Sequence, residues 1–304
     1  MTTPAQPRKL LSPRGRRQVG YVFVVWAVVG VAIGIETLVL HLATDPLVDI
    51  RRYWEAGARL NAGLPLYGLT SADTTATYLY PPLLAIVFRP LALLPFGVAA
   101  ATWEAVILAT FALTVRRIGP GRPGWILLGI LALPIAWALA IGQVEPVLTW
   151  LLAIGSPWSV ALAGHVKLLP WLAAAYWLAR RDARSLATFA AWVAGLGVVQ
   201  LVLAPDPTLD FLRLTWLHAT LEVNNVSLWV IHPALWAAGA LVALVVAFWL
   251  ARGRWAWAAA VVLTVAANPR LLVYQLMALL AALGGPRERD GGPAGRVGKP
   301  RSGA

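Results

Sequence analysis

Apolar runs dominate the chain and recur between short polar breaks. The first extends from Val19 to about Leu40, long enough to cross a bilayer, which takes about twenty residues. It exceeds the apolar part of a signal peptide and lacks a convincing cleavage site, so it reads as a retained helix. Gly30 and Gly34 form a GxxxG pair on it, a helix-packing signal. Further runs fall at about 97–115, 124–141, 143–154, 158–166, 168–179, 186–204, 228–251, 255–267 and 269–284. Several are too short to cross alone, and Pro134, Pro146 and Pro170 interrupt the series. Irregular backbone at membrane depth is tolerated only where protein buries it or where it lines a cavity, so these breaks point to an internal chamber. The stretch 82–95, PLLAIVFRPLALLP, reads as re-entrant or interfacial. The pattern predicts an all-α polytopic membrane protein with about 9–11 transmembrane or half-membrane helices. Residues 1–18 are a basic leader, 19–284 the membrane domain and 285–304 a disordered basic tail.

One segment breaks this pattern. DPLVDIRRYWEAGARLNAGLPLY, residues 45–67, gathers three acids, three arginines and a Tyr-Trp pair. Asp45 followed by Pro46 predicts a helix start, and Gly63 a stop. Leu47, Ile50, Trp54 and Ala58 share one face at helical spacing; Asp49, Arg52, Tyr53, Ala56 and Arg59 share the other. The expectation is an amphipathic helix on the outer surface, its Trp face toward lipid or the bundle. Asp49 falls in the first turn, where the helix dipole favours an ionised carboxylate. Two readings stand: a general base beside the chamber, or an acid that pairs with Arg52 three residues on.

Composition sharpens the class. Of 304 residues 60% are apolar, only 12% are charged and sixteen are tryptophan. Soluble domains carry about a quarter charged residues, and indoles favour the membrane interface, so the solvent for this fold is lipid. The net charge of +12 sits in short clusters between apolar runs, a loop pattern that argues against nucleic acid. RRIGPGR, RRDAR, RGR and the PRERDGG tail fall on one side if each run crosses once, and the amino terminus joins them. The positive-inside rule makes that side the cytoplasm, leaving residues 41–81 and 205–227 outside. With no cysteine there is no disulfide or thiolate chemistry, and the four histidines lie at no metal-ligand spacing. Neither a phosphate-binding loop nor a dinucleotide fingerprint is present. No cofactor and no required metal are expected.

The wording of particular segments adds to this. VDIRRYWEAGARLNAGLPLY with YLYPPLLAIVFRPLALLPFGVAAATW, then GQVEPVLTWLL, AGHVKLLPWL, NNVSL and NPRLLVYQL, resembles glycosyltransferase family 87 in order over most of residues 20–284. Such a resemblance implies a GT-C-like bundle that moves a hexose, typically mannose, from a polyprenyl-phosphate-sugar donor to a lipid or cell-envelope glycan acceptor. It implies a multi-pass protein of the plasma membrane with both termini cytoplasmic and the active site facing outward. Asp49 would be the base that takes the acceptor proton, with inversion at the sugar carbon. Arg52, Tyr53, Tyr80, Gln143, Lys167, Asn225 and Arg270 would bind substrate, with Lys167, Arg270 and Arg89 the candidates for the leaving phosphate. Each has a plainer reading beside it. Lys167 can snorkel from a short helix, Gln143 can tie two helices, and Asn224, Asn225 and Ser227 can cap the helix after them. Tyr78, Tyr80, Pro81 and Pro82 suit a chamber rim or a helix start. Glu145 and Gln275 depart from the family's usual residues, and the family's last helices have no counterpart here. A lipid or sugar transporter, and a non-catalytic partner subunit, are the competing functions.

Overall fold

The computed structural model describes residues 13–67, 78–213 and 225–286, with side chains from Gln18 onward. The call on Asn224, most of the leader and nearly all of the tail lie outside these residues. Helices account for the architecture, and the one strand-like pairing among the described residues is an isolated bridge between Asn225 and Leu272. Three helices are long and apolar enough to cross a membrane: α1 (Pro13–Thr44, apolar from Gln18), α4 (Phe96–Ile118) and α10 (Ala183–Leu203). Only 6% of the apolar window of α1 or α10 is buried, against 33% for α4, so α4 is the central helix of the three. This is a membrane protein by the lengths and composition of its helices.

The run at 124–141, expected as one span, is a broken pair. α5 (Arg122–Ile130) and α6 (Ala132–Ala140) meet at 58°. Pro134 has no N–H for the Ile130 carbonyl and its ring crowds that carbonyl, which breaks a helix there. α1 crosses the break closely. A Cβ on Gly30 would collide with the Gly129 carbonyl, and one on Gly34 would lie 2.8 Å from the Ala132 carbonyl carbon. The GxxxG pair is therefore a packing surface.

The remaining runs are short. α3 (Pro82–Leu91), α7 (Glu145–Ile154) and α8 (Pro157–Val166) have ten residues each, or ~15 Å at helical rise, half a bilayer core. A single full crossing by each of the runs 143–154 and 158–166 does not fit those lengths. The run 168–179 divides into a 3-10 turn and α9 (Ala175–Arg180), and an eleven-residue 3-10 stretch, Val273–Leu283, forms the last run. α11 (Pro205–Arg213), α12 (Pro233–Trp249) and α13 (Ala256–Ala266) complete the set.

The amphipathic helix is present as α2 (Val48–Asn61), ended by Gly63 at φ +65°. Its start differs from expectation, and of the two orientations left open it takes the one with the Asp49 face inward. Asp45 caps nothing: it accepts from Thr44 and pairs with His41. Leu47, left-handed at φ 58°, is the residue at the cap position. The buried residues are Asp49, Ile50, Tyr53, Ala56 and Gly57, so the face bearing Asp49 and Tyr53 turns inward. Trp54 lies at the edge, donating to the Leu94 carbonyl at 3.2 Å. The partner of this face is α3. A Cβ on Gly57 would lie 2.6 Å from the Phe88 carbonyl oxygen, an approach that only glycine permits.

Gly57→Leu is expected to lower stability by about 1–3 kcal/mol through overpacking at the α2–α3 contact. Gly97→Leu, where nothing lies within 4 Å, is the control. Thermal unfolding in detergent should separate the two by several degrees, and equal melting temperatures would refute the contact.

Candidate active site

The site is built where α2 meets the end of α6. The first N–H groups of a helix have no partner inside it. Here Leu47 N–H donates to the Ala140 carbonyl (3.2 Å) and Asp49 N–H to the Ile141 carbonyl (3.0 Å). The carbonyl end of α6 thus caps α2, and the opposed helix dipoles attract. Gly142 makes the turn possible. Its φ is +71°, and a Cβ there would overlap the Ile50 side chain. The Trp103 indole fixes the turn from α4 by donating to the Gly142 carbonyl at 3.0 Å.

Next along the turn is Gln143, wholly buried. Its amide nitrogen donates to Asp49 Oδ2 at 2.8 Å. Its oxygen accepts from the Tyr53 hydroxyl, from Tyr80 at 3.1 Å and from Val144 N–H at 2.8 Å. Both ends of the amide are engaged, so Gln143 orients the carboxylate as well as tying elements together. Arg52 Nη1 donates to Asp49 Oδ1 at 2.9 Å, and both readings of Asp49 from sequence therefore meet in one place. The ion pair exists, and it stands beside a built polar network.

α2 lies outside the helices long enough to span. Burial pushes the Asp49 carboxyl above its ordinary range; the charges of Arg52, Lys167 and Arg270 pull it down without cancelling that rise. Burial likewise pushes the Tyr53 phenol well up, so it remains a neutral donor.

A second pole follows two residues after Gln143. Glu145, buried in the first turn of α7, accepts both bonds of Lys167 Nζ at 2.9 and 3.1 Å. Lys167 ends α8 and also stands 5.4 Å from the ring centres of Tyr80 and Tyr274. Arg270 comes from a pinned turn. Asn268 accepts from Arg270 N–H (3.0 Å) and donates to Gln275 (2.7 Å), while Asn225 donates to the Pro269 carbonyl (3.1 Å). Asn225 therefore supports the Arg270 turn, and Ser227 caps the 3-10 turn after it.

α4 serves as a ruler for depth. Trp103 marks the site, and Arg117 donates to the Ala153, Ile154 and Gly285 carbonyls near the other end. Those residues are ~21 Å apart along the helix, while Phe96 is only ~10 Å from Trp103. The site is recessed about one third of the way along α4.

Of the residues singled out from sequence, Asp49, Arg52, Tyr53, Tyr80, Gln143, Lys167 and Arg270 converge, with Asn225 behind them. Arg89 does not. It donates to Asn61 (3.0 Å) and to the Leu203 carbonyl (3.4 Å), at the far end of α2, ~18 Å along the helix from Asp49. Tyr78 donates to the Pro81 carbonyl and accepts from Ala85 N–H, both at 2.9 Å, pinning the start of α3. Tyr274 was not foreseen. Its only sequence signal is its place four residues after Arg270. Glu145 drew notice only as a departure from the family pattern, whereas it is the lysine's partner. Among the described residues no three His, Asp or Glu side chains gather as a metal cluster.

The sequence profile of glycosyltransferase family 87 matches residues 78–286, more than half of the chain. The chain belongs to glycosyltransferase family 87. The matched span holds Tyr80, Gln143, Glu145, Lys167, Asn225 and Arg270; Asp49 lies before it, joined to the match by the Gln143 bond. Similar proteins include a polyprenol-phosphate-mannose-dependent alpha-(1-2)-phosphatidylinositol pentamannoside mannosyltransferase of Mycobacterium tuberculosis, 29% identical over 67% of this chain and 53% of the relative. The protein of that name from Mycolicibacterium smegmatis is 34% identical over 55% of this chain and 46% of its own length. A polyprenol-phosphate-mannose-dependent alpha-(1-2)-phosphatidylinositol mannoside mannosyltransferase of M. tuberculosis is 24% identical over 75% of this chain and 65% of its own length. The chain spans about half the length of the first two relatives. No solved structure matches it.

Gln143→Leu keeps the side-chain bulk and takes a hydrogen-bond partner from Asp49 Oδ2, the Tyr53 and Tyr80 hydroxyls and Val144 N–H. Each buried group left without a partner costs about 1–3 kcal/mol, so the variant is expected to melt several degrees lower. Thr102→Val, which removes only an exposed bond to the Val98 carbonyl, should leave the melting temperature in place. A Gln143→Leu melt indistinguishable from the parent would show that the network carries no stability.

Proposed function

We propose that the protein is a membrane glycosyltransferase that moves mannose from a polyprenyl-phosphate carrier to a glycolipid acceptor. The observation that carries this is a buried carboxylate, Asp49, oriented by Gln143 and flanked by the cations of Arg52, Lys167 and Arg270. Family membership and the names of the relatives supply the substrate class.

On this reading the acceptor hydroxyl oxygen attacks the anomeric carbon while the bond from that carbon to the phosphate oxygen breaks. Asp49 takes the hydroxyl proton; the lipid phosphate departs with the bonding electron pair. A single displacement inverts the anomeric centre. Lys167 and Arg270 would stabilise the charge that grows on the departing phosphate, which is the work of preorganised cations in a water-poor site. Gln143 and Tyr53 position the base, and Asn225 holds the turn that carries Arg270.

The same proposal takes the bundle as GT-C-like and residues 19–284 as its membrane domain. It takes both termini as cytoplasmic, on the positive-inside reading of the arginine clusters, and α2 with the Asp49 site as facing outward, in a multi-pass protein of the plasma membrane. A recessed site suits a donor whose lipid tail stays in the bilayer while its sugar reaches Asp49.

The test is mannose transfer from radiolabelled polyprenyl-phosphate-mannose in membranes containing wild type or Asp49→Asn. General base catalysis contributes on the order of 100- to 10,000-fold, and a loss of that size is expected. A folded-state carboxyl held above its ordinary range favours the neutral form, and its stabilising effect is lost as pH rises through that raised value. Asp49→Asn should therefore melt no lower than wild type at pH 7. Equal transfer by the two proteins would eliminate Asp49 as the base.

The pH dependence gives a second check. Transfer should fall as pH drops through the raised range of Asp49, because the base must be ionised. Arg52→Gln removes the strongest influence holding that carboxyl down, so the acid limb of kcat/KM should move to higher pH. An acid limb that stays put or moves down would show that the limb belongs to another group.

A further inference from the structure

The stripe of α2 that carries Asp49 continues beyond the site. Asp49, Arg52, Ala56 and Arg59 follow at intervals of three and four residues, the spacing of one helix face. Past Asp49 this stripe floors a cavity of about 400 Å³, lined among others by Arg52, Glu55, Ala56, Arg59, Leu66 and Tyr78. That volume lies within the range of small-ligand sites, about 300–1,000 Å³. Arg52 belongs to both places, touching Asp49 and lining the cavity.

The chemistry of the lining is specific. Arg59 stands ten residues from Asp49, ~15 Å along the helix, with Nε anchored on the Pro65 carbonyl at 2.8 Å. Among the described residues no carboxylate lies within ion-pair distance of Arg59. Guanidinium groups suit phosphate oxygens through paired N–H donors. Glu55, exposed beside them, accepts hydrogen bonds and so suits hydroxyl groups. Ala56 and Leu66 supply apolar wall.

Displacement at a sugar carbon brings the attacking oxygen and the leaving oxygen to opposite sides. With Lys167 and Arg270 assigned to the leaving phosphate, the Arg52–Arg59 cavity falls to the acceptor. We propose that it binds the phosphodiester head group of a glycosylated phospholipid acceptor, the phosphate between Arg52 and Arg59 and the polyol hydroxyls against Glu55. The span from Arg59 to Asp49 leaves room for sugar units between that phosphate and the reacting hydroxyl. This inference rests on the transferase reading above, and its test can fail independently of it.

The test is equilibrium binding to the full chain in detergent micelles. Three probes serve: a short-chain phosphatidylinositol mannoside, uncharged octyl mannoside, and inorganic phosphate. Charge-assisted hydrogen bonds of this kind correspond to about tenfold or more in affinity, so wild type should prefer the charged glycolipid over octyl mannoside by at least that factor. Arg59→Gln should bind the two alike, Arg59→Lys should recover part of the preference, and Arg213→Gln on α11 should retain it in full. The proposal is overturned if wild type shows no preference, if Arg59→Gln keeps it, or if inorganic phosphate binds as tightly as the glycolipid. Binding needs no turnover, so absence of mannose transfer would sink the transferase reading while this result still decided the cavity. Where transfer occurs, Arg59→Gln should raise KM for the charged acceptor about tenfold and leave KM for the donor in place.

Discussion

Six residues, Ala140 to Glu145, hold the site together. The carbonyls of Ala140 and Ile141 finish the first turn of α2, Gly142 lets Ile50 approach, Gln143 orients Asp49, and Glu145 holds Lys167. One short turn between α6 and α7 therefore sets the relative position of the acid and the lysine, residues 49 and 167 of the chain. An amide is suited to the centre of such a turn. It donates at one end and accepts at the other, so it can face a carboxylate and two phenols at once without bringing a charge of its own. A carboxylate at position 143 would oppose Asp49, and an apolar side chain would take a partner from Asp49 Oδ2 and from both phenols.

The network also sets a conflict between stability and chemistry. Asp49 is buried, and burial disfavours its charged form, yet the proposed reaction needs that form. Three cations offset part of the penalty, and the N-terminal end of α2, where Asp49 sits in the first turn, adds a favourable field. On the proposed reading, a carboxylate held this way has a higher proton affinity than an exposed one, which would strengthen its pull on a hydroxyl proton. The penalty is distributed over α2, α8 and the Asn268–Leu272 turn, so the site depends on all three elements at once.

Much of this could be read in the chain, and the failures have identifiable physical origins. The apolar runs matched helices closely because length and hydropathy are local properties. The break at Pro134 was visible as a proline but not as a 58° bend, since the bend depends on how α1 packs across it. Asp49 and Lys167 stood out because charge is rare in this sequence. Asp45 looked like a cap because Asp-Pro is a good local start; the actual cap is the end of another helix, which no local pattern can announce. Whether the Trp54 face would meet lipid or the bundle was open in the sequence, because in lipid the apolar side of a helix has no reason to turn inward. The polar face goes in, where Gln143, Tyr80 and Phe88 receive it. Tyr274 stood in the sequence only as the tyrosine of NPRLLVYQL, four residues after Arg270, until the chain brings it to Lys167.

The Lys167–Glu145 pair carries one more consequence. A lone ammonium in so apolar a setting is costly, and a carboxylate at 2.9 Å offsets that cost. The same carboxylate opposes an arriving phosphate, which carries like charge. On the proposed reading, donor binding is therefore an exchange of anions at Lys167, with Arg270 and the Tyr80 and Tyr274 rings keeping the ammonium in place during it. The donor phosphodiester, with one charge and two free oxygens, only matches a carboxylate; the departing phosphate gains a third free oxygen and further charge, so the pull of Lys167 on it is strongest as the sugar leaves. A neutral sugar or an uncharged lipid develops no such charge. On that reading the buried glutamate holds the lysine folded into the site and yields it to the phosphate as that charge grows.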